Sequence, residues 1–523
     1  MKIQLAPIDS LQAWERNPRE RDPKRFDWIK ISLKKFGFVM PVFAREDGML
    51  YSGHQRTGAA HELGFTQIPV VYLPGYEAAT ERGLNVLFNL CTNDHNTKAD
   101  FGKKAAMELE EKIEAFNELP DANDPFPCLT NFEVIKPVDF QKQIDPLSFN
   151  NMTFLFAQTL CEMGIEIPII LTPNNEIING VPRLMAAISY ARVNYPAVKI
   201  NENWEALGIF LNKITMSFNL QKAFGEELRY NSFFRRRNQA AQRTTLGVGF
   251  YHWVFAKEAR NGGKEWLFQN LIKLEGENRN RFIAEHGTTC IDFGAGRLDN
   301  TNKLQDAEIT CIPFEPYSMK PHSDEICYKG SRLISIRFLS WLGTKPKIDS
   351  LFCSSVFNSV PFSEDREHLM VIFNFICTYG CTLYLHTLSD TNLGGRVFNN
   401  GVNASSRSDG AILLDTEPGL YINEVLNVPK VQKFHSEQEL IAQGKRYFHN
   451  VVYYPANGSS HGIKCQGSKK LDPLLLVRAL EFEFNLPYPG NKRMDLVDKA
   501  LTEFSHFIGI DLFKVKENAE NLR

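Results

Sequence analysis

The sequence predicts a mixed α/β protein in which two small α+β domains precede a helical connector and a larger α/β domain. Three observations support this prediction. The first half of the chain matches itself at an offset of 127 residues. The second half alternates apolar strand-like runs with helical periods, and the segment between them is helical in pattern and basic. The predicted domains span 1–120, 128–220, 221–284 and 285–465, with a helical extension at 466–523.

Composition limits the classes of function. The chain has 523 residues, of which 43% are apolar and 23% charged, as is usual for a globular protein of several domains. There are 59 basic and 61 acidic residues, for a formal net charge of -2. No global positive field draws this chain to nucleic acid, so any contact with DNA must come from local patches.

Cysteine usage and hydropathy indicate a cytoplasmic protein. None of the ten cysteines forms a Cys-x-x-Cys pair, and Cys377 and Cys381 have no neighbouring histidine or cysteine cluster. We therefore expect reduced, mostly buried thiols and no metal site. The first residues, MKIQLAPIDS, contain no apolar signal segment, and no run reaches the roughly 18 apolar residues of a membrane span.

An internal repeat organises the first half. GFVMPVFAREDGMLYSGHQRTGAAHELGFTQIPVVY aligns without a gap on GIEIPIILTPNNEIINGVPRLMAAISYARVNYPAVK. Gly53 meets Gly180, and Arg56 meets Arg183. Each copy predicts a helix that ends at its first glycine, two strands joined by a turn, a Gly-x-x-Arg helix start and a last strand that begins at the second proline.

The Gly-x-x-Arg turn of the first copy is a candidate phosphate site, formed by Gly53, His54, Gln55 and Arg56. Glycine allows the backbone to approach a ligand, and a helix start offers N–H groups and a positive dipole end. Arg56 can add a bidentate contact and His54 a further donor. The alternative is an ordinary strand-to-helix turn with Arg56 in a surface ion pair.

The first copy resembles the ParB/sulfiredoxin-like domain in NPR at 17–19, LKKFGFVMPVFAR, YSGHQRTGAAHELGFTQIPVVYL and LNVLFNLCTNDHNTKADF. The resemblance implies nucleotide or nucleic-acid phosphate binding at the Gly53–Arg56 turn, with a nucleoside triphosphate as a candidate ligand. Asn17 and Arg19 fall in the first motif of that family and Asn93 close to its third. That third motif lacks the arginine found in the partition proteins.

The second copy keeps Gly180 and Arg183 but has Val181-Pro182 in place of His54-Gln55. Proline has no backbone N–H to offer to a phosphate. We therefore interpret this copy as a degenerate ParB-like domain with a structural or DNA-positioning role.

The connector carries a basic run beside aromatic residues. Arg235, Arg236 and Arg237 follow two phenylalanines and could contact a nucleic-acid backbone. The alternative is a linker helix whose arginines are solvated or ion-paired, because acidic residues lie close by.

The strongest chemical motif lies in TTCIDFGAGRLDNTNKLQDAEITCIPFEPY, residues 288–317. One apolar run ends in Asp292 and the loop Gly294-Ala295-Gly296, and a second ends in Glu315. This pattern is typical of a mononucleotide-binding βαβ unit, in which glycines admit the ligand and the second acid accepts from ribose hydroxyls.

The same motif resembles class I S-adenosylmethionine-dependent methyltransferases, over about residues 285–460. Arg297-Leu298 stand where a dinucleotide site has its third glycine. The resemblance implies a Rossmann-like domain that binds S-adenosylmethionine through Asp292, Gly294, Ala295, Gly296 and Glu315. The alternative is a Rossmann-like fold that has lost its cofactor.

The methyl acceptor is less defined by the sequence. The loop SSVFNSVP lacks the Asp/Asn-Pro-Pro-Tyr/Phe motif of amino-methylating DNA enzymes, and Cys353 has no preceding proline and lies inside a predicted strand. Asn358 and Ser359 are the candidate catalytic residues of this loop. The helical extension at 466–523 could serve as a lid or a DNA contact.

ParB-like domains occur fused to DNA methyltransferases, and such chains resemble products of phages and mobile elements. The resemblance therefore implies a methyltransferase acting on DNA or a nucleotide in a bacterial cytoplasm, targeted by ParB-like modules. Two alternatives stay open: a non-enzymatic DNA-binding regulator with a relic cofactor fold, and a ParB-like nucleotide hydrolase or nuclease. The sequence defines no acceptor atom, recognition sequence or oligomeric state.

Overall fold

The computed structural model describes residues 1–15, 17, 21–91, 110–144, 151–201, 203–213, 220–232, 274–320, 323, 325–390, 412–413, 417, 419–423, 430–456 and 460–521. Arg19, Asn93 and the predicted basic run Arg235–Arg237 lie outside these ranges. The chain divides into two compact units: unit one comprises 1–225, 395–417 and 422–429, and unit two comprises 226–394, 418–421 and 430–523. The predicted mixed α/β fold class is confirmed.

The first half of unit one is a four-stranded mixed sheet. Its strands follow the order β1-β4-β2-β3, with β2 parallel to β4 and the other pairs antiparallel. The strands are β1 Gln4–Pro7, β2 Val42–Arg45, β3 Leu50–Ser52 and β4 Gln67–Leu73, and the helices are α1 Pro23–Phe36, α2 His54–Glu62 and α3 Ala78–Cys91.

The second half of unit one repeats this topology. Its strand order is β5-β8-β6-β7, again with one parallel pair, β6 with β8. The strands are β5 Phe132–Ile135, β6 Ile169–Leu171, β7 Ile177–Asn179 and β8 Tyr195–Lys199, and the helices are α4 Pro127–Thr130, α5 Asn151–Glu162, α6 Val181–Ser189, α7 Trp204–Lys213 and α8 Leu220–Phe224. The register shift between Phe43 and Ala44 recurs between Ile170 and Leu171, at the sequence offset of the repeat.

Local sequence explains how these helices begin. The Asp22 carboxylate accepts from Arg25 N at 2.8 Å, and Pro23 opens α1, where its missing N–H costs nothing. Gly53 and Gly180, which precede α2 and α6, have φ of 98° and 110°. Only glycine adopts this conformation without strain.

The two halves of unit one pack through Phe36 and Phe210, whose ring centroids are 6.0 Å apart.

Unit two is built on a six-stranded sheet of order β10-β9-β11-β12-β17-β16. The first four strands are parallel, and an antiparallel hairpin closes one edge. The strands of this sheet are β9 Thr289–Phe293, β10 Thr310–Phe314, β11 Ser350–Ser354, β12 Thr382–Leu388, β16 Phe448–Ala456 and β17 Ser460–Ser468. The remaining strands of the chain lie outside it: β13 Ile412–Leu413, β14 Leu420–Asn423, β15 Lys430–Lys433, β18 Pro487–Tyr488 and β19 Lys492–Arg493. The chain reverses its direction of winding between β9 and β11, which creates a crevice at their carboxyl ends.

Helices cover this Rossmann-like sheet. They are α9 Glu227–Asn231, α10 Gly276–His286, α11 Asp299–Asp306, α12 Tyr328–Leu342, α13 Ser363–Ile376, α14 Glu437–Tyr447, α15 Pro473–Glu483, α16 Val497–Ile508 and α17 Leu512–Asn521. The three C-terminal helices share one apolar core with the sheet. Phe484, which follows α15, lies 5.5 Å from Phe314 of β10 and 6.3 Å from Phe504 of α16, between ring centroids. The C-terminal extension is therefore part of the core of unit two.

We predict that Gly53→Ala lowers the free energy of unfolding more than Gly64→Ala does. Both glycines have positive φ, 98° and 82°, so both variants carry backbone strain. A Cβ on Gly53 would also lie 2.4 Å from Cγ1 of Val42, whereas a Cβ on Gly64 meets nothing within 4 Å. The difference should be about 1–3 kcal/mol, the usual cost of overpacking, in urea unfolding curves. Equal losses in the two variants would show that the contact with Val42 is not a constraint.

Candidate functional site

The arginines of the two Gly-x-x-Arg turns face the protein interior. Nη1 of Arg56 donates to the Met40 carbonyl at 2.7 Å, and Nη1 of Arg183 donates to the Pro168 carbonyl at 2.6 Å. Burial lowers the pKa of Arg56 from 12.5 to about 10, so the side chain is still cationic at neutral pH. Arg56 thus links the start of α2 to the residues before β2, and Arg183 links the start of α6 to the residues before β6. A contact of Arg56 with phosphate stays a prediction.

His54 and Gln55 occupy the first turn of α2 and are partly buried. Nε2 of His54 accepts a hydrogen bond from Trp14 N at 3.2 Å. Burial, followed by the charge of Lys222, lowers the pKa of His54 to about 4. His54 is therefore neutral at neutral pH and adds no positive charge to the turn. Asn17, from the first predicted motif, is 8% exposed.

The glycine loop of unit two is bound to the end of the neighbouring strand. Gly294 N and Ala295 N both donate to the Phe314 carbonyl, at 2.7 and 3.1 Å. Gly294 has φ of 77°, and a Cβ there would lie 2.1 Å from Cγ2 of Val356. Gly296 has φ of 59°. The loop is thus held in a left-handed conformation between β10 and the residues that follow β11.

The two predicted carboxylates lie on different sides of this loop. Asp292 is 2% exposed and accepts from Oγ1 of Thr301 on α11 at 2.9 Å. This bond links the end of β9 to the helix that follows the loop. Glu315 is 4% exposed at the carboxyl end of β10. Its Oε2 accepts from Gly296 N at 2.5 Å, and its Oε1 accepts from Tyr317 N at 2.9 Å. Of the two acids, Glu315 is the one that directly precedes cavity-lining residues, Pro316 and Tyr317.

A small pocket of about 30 Å³ lies beside this loop, at the carboxyl ends of β9, β10 and β11. Its walls are mainly apolar and include Phe293, Gly294, Pro316, Tyr317, Val356 and Leu486. Crevices at such a change of winding are the usual ligand sites of open α/β sheets. The predicted glycine loop and this cavity therefore belong to one site.

Three charged side chains that the motifs did not indicate line the same cavity: Arg229, Asp365 and Glu483. Nε of Arg229 lies 2.8 Å from Oδ2 of Asp365, and its guanidinium stacks 4.7 Å from the ring centroid of Phe362 and 4.9 Å from that of Phe482. Burial raises the pKa of Asp365 against the effect of Arg229. Arg229 comes from the predicted connector and Glu483 from the C-terminal helices. These side chains come together only in the folded tertiary structure, and no local sequence pattern indicates their contact.

The candidate acceptor-loop residues bond to Gln432 and are not among the residues that line the cavity. Nδ2 of Asn358 donates to Oε1 of Gln432 at 2.6 Å, and Nε2 of Gln432 donates to Oγ of Ser359 at 3.2 Å. The same loop supplies Val356 and Val360 to the cavity. Substrate contact by Asn358 or Ser359 stays a prediction. Cys353 is buried within β11, and burial raises the pKa of its thiol.

The described residues contain neither a metal centre nor a membrane-spanning helix. Among them, no group of three histidine, cysteine, aspartate or glutamate side chains is arranged to hold a metal ion. No helix within those ranges is long and apolar enough to cross a membrane.

The fold defines a chain in which unit one carries two mixed sheets in tandem and unit two is Rossmann-like. No protein-family model matches the chain. It is 32% identical over 75 residues to the ParB-like nuclease domain-containing protein YnaK of Escherichia coli (strain K12), a match that covers 14% of this chain and 86% of that protein. The chain therefore belongs, through this domain, to the family of ParB-like nuclease domain-containing proteins.

Two solved structures are also similar to parts of the chain. The chromosome-partitioning protein ParB from Caulobacter crescentus, complexed with CTP-gamma-S, is 15% identical with a TM-score of 0.18, over 31% of this chain and 86% of that one. A S-adenosylmethionine-dependent methyltransferase from Clostridium acetobutylicum is 12% identical with a TM-score of 0.26, over 46% of this chain and 99% of that one.

We predict that His54 makes the stability of unit one depend on pH. Burial depresses the pKa of His54 in the folded chain to about 4, from an ordinary value of 6.5. As the pH is lowered, His54 takes up a proton in the unfolded state before it does so in the folded state. The free energy of unfolding therefore decreases as the pH falls from about 6.5 to 4. From pH 7 to pH 5 the loss due to His54 should be about 2 kcal/mol in urea unfolding.

The His54→Gln variant should remove that part of the pH dependence. His61→Gln is the control, because His61 lies on the same helix with a side chain that is 70% exposed. All histidines other than His54 and His61 are present in each of the three proteins. The difference in pH dependence between His54→Gln and the wild type therefore reports on His54 alone. If His54→Gln and the wild type lose equal stability, His54 is accessible to protons and the neutral state described above is wrong.

Proposed function

We propose that the chain is an S-adenosylmethionine-dependent methyltransferase that acts on DNA or a nucleotide, with its ParB-like unit as the targeting module. The observation that supports this most is the position of Glu315. This buried carboxylate at the carboxyl end of β10 bonds to the glycine loop, and the next two residues, Pro316 and Tyr317, line a largely apolar cavity at the change of winding. A carboxylate in this position is the usual acceptor for ribose hydroxyls.

The residues at the crevice fit the cofactor. The loop has backbone within reach of a ligand because neither Gly294 nor Gly296 has a side chain, and the walls from Phe293 to Tyr317 offer apolar surface to an adenine ring. Glu315 would hold the ribose, and Asp292 would keep the loop in place through Thr301. The cofactor supplies a methyl group already activated on a sulfonium, so the chain needs mainly to orient donor and acceptor.

The targeting role rests on the ParB-like domain. Members of this class bind nucleic-acid or nucleotide phosphates at the turn that corresponds to Gly53–Arg56, and a nucleoside triphosphate is our candidate ligand there. Arg56 would then exchange its bond to the Met40 carbonyl for one to phosphate. A duplex substrate would have to extrude the target base before the cavity of unit two could accept it.

We predict that the full chain binds S-adenosylhomocysteine and that Glu315→Gln weakens this binding by about tenfold or more. The amide would place a donor where the carboxylate accepts from Gly296 N or Tyr317 N. Glu308→Gln is the control, because that side chain is 87% exposed in the same βαβ unit. Calorimetry gives the affinities, and a ligand at 100 times its Kd should raise the free energy of unfolding by about 2.7 kcal/mol. If the wild type binds neither S-adenosylhomocysteine nor S-adenosylmethionine, the cofactor assignment is wrong.

We predict transfer of tritium from methyl-labelled S-adenosylmethionine to unmodified DNA. Parallel reactions with RNA and with free nucleotides identify the acceptor class, and mass spectrometry of the digested nucleosides identifies the modified base. Glu315→Gln should reduce transfer because it weakens donor binding. If the cofactor binds and none of these acceptors is labelled, the fold is a relic, and a DNA-binding regulator becomes the better description.

A further inference from the structure

Glu483 is a buried carboxyl group in the wall of the cavity. It is the last residue of α15, and only 5% of the residue is exposed. Within the described part of the chain, its carboxyl group makes no hydrogen bond or ion pair. An ionised carboxylate in such surroundings is costly unless a positive group comes to meet it.

The other charges around the cavity are already paired or bonded. Arg229 forms its two-pronged contact with Asp365, at 2.8 and 3.3 Å. Glu315 accepts from backbone N–H groups. The cavity wall and the nearby Glu315 thus bring three carboxyl groups close to one guanidinium. Among the residues that the structure describes, no cation pairs with Glu483.

Neighbouring titratable groups do not supply the missing positive charge. Burial lowers the pKa of His368, so its ring on α13 is neutral, and burial raises the pKa of Tyr317 and Tyr488, so both phenols keep their protons. Burial, and then Asp365 and Glu315, raise the pKa of Glu483 to about 8. Without a ligand this carboxyl group is mostly protonated at pH 7.

We infer that Glu483 recognises a positive charge on the ligand of this cavity. The inference rests on the proposed function, under which that charge is the sulfonium of S-adenosylmethionine. An approaching cation favours the ionised form of the carboxyl group. The O–H bond of Glu483 then breaks, its proton passes to the buffer, and the carboxylate pairs with the cation.

The test compares S-adenosylmethionine with S-adenosylhomocysteine on the full chain by calorimetry at pH 7, in two buffers of different ionisation enthalpy. The two molecules share their ammonium group and differ in the charged sulfonium. The wild type should prefer S-adenosylmethionine by about tenfold, the equivalent of one unit in the pKa of Glu483, and should release more protons on binding it. The preference should increase as pH rises through about 8, because the ionised fraction grows.

Glu483→Gln should abolish both the preference and the extra proton release while it keeps the affinity for S-adenosylhomocysteine. Glu481→Gln on the same helix is the matched control, because Glu481 is partly exposed and pairs with Lys516 at 2.6 Å. Equal binding of both ligands by the wild type, with equal proton release, overturns the inference even if the Gln variant fails to fold. Retention of both effects in a folded Glu483→Gln protein also overturns it. If the wild type binds neither ligand, the proposed function itself fails.

Discussion

The glycine loop after β9 is held to the end of β10 by its own backbone. Gly294 and Ala295 donate to the Phe314 carbonyl, and Gly296 donates to the Glu315 carboxylate. These bonds require positive φ at Gly294 and Gly296 and leave room for Val356 to pack against the loop. Because these bonds fix the loop at the end of β10, the space at the carboxyl ends of the strands stays open as the cavity. The cofactor binding and the charge recognition that we propose both depend on this arrangement.

An analogous internal constraint explains the repeat in unit one. Arg56 and Arg183 each bind a backbone carbonyl just before a strand, and Gly53 and Gly180 each provide the left-handed residue before the helix. Glycine and arginine therefore have a structural reason to stand in both copies, even where Pro182 removes an N–H. The phosphate binding that we propose for the first copy would use Arg56, a residue that the fold already employs.

Periodic and motif signals predicted most of the architecture. The β9 run was expected at Thr289–Phe293 and is found there, and the run expected at 309–314 is found as Thr310–Phe314. Long-range consequences of folding were beyond sequence reasoning. No local pattern shows that Arg229 meets Asp365, that Asn358 turns to Gln432, or that a C-terminal helix brings Glu483 to the cavity. The depressed pKa of His54 also arises from burial, which a motif does not encode.

A crystal structure of the full chain with S-adenosylhomocysteine tests the central claim most directly. The distance to measure joins the Glu315 carboxylate and the ribose hydroxyls of the ligand. We expect hydrogen bonds of about 2.5–3.0 Å there, with the adenosine in the cavity beside the glycine loop. A ligand bound elsewhere, with Glu315 still bonded only within the protein, would contradict the assignment of this crevice as the cofactor site.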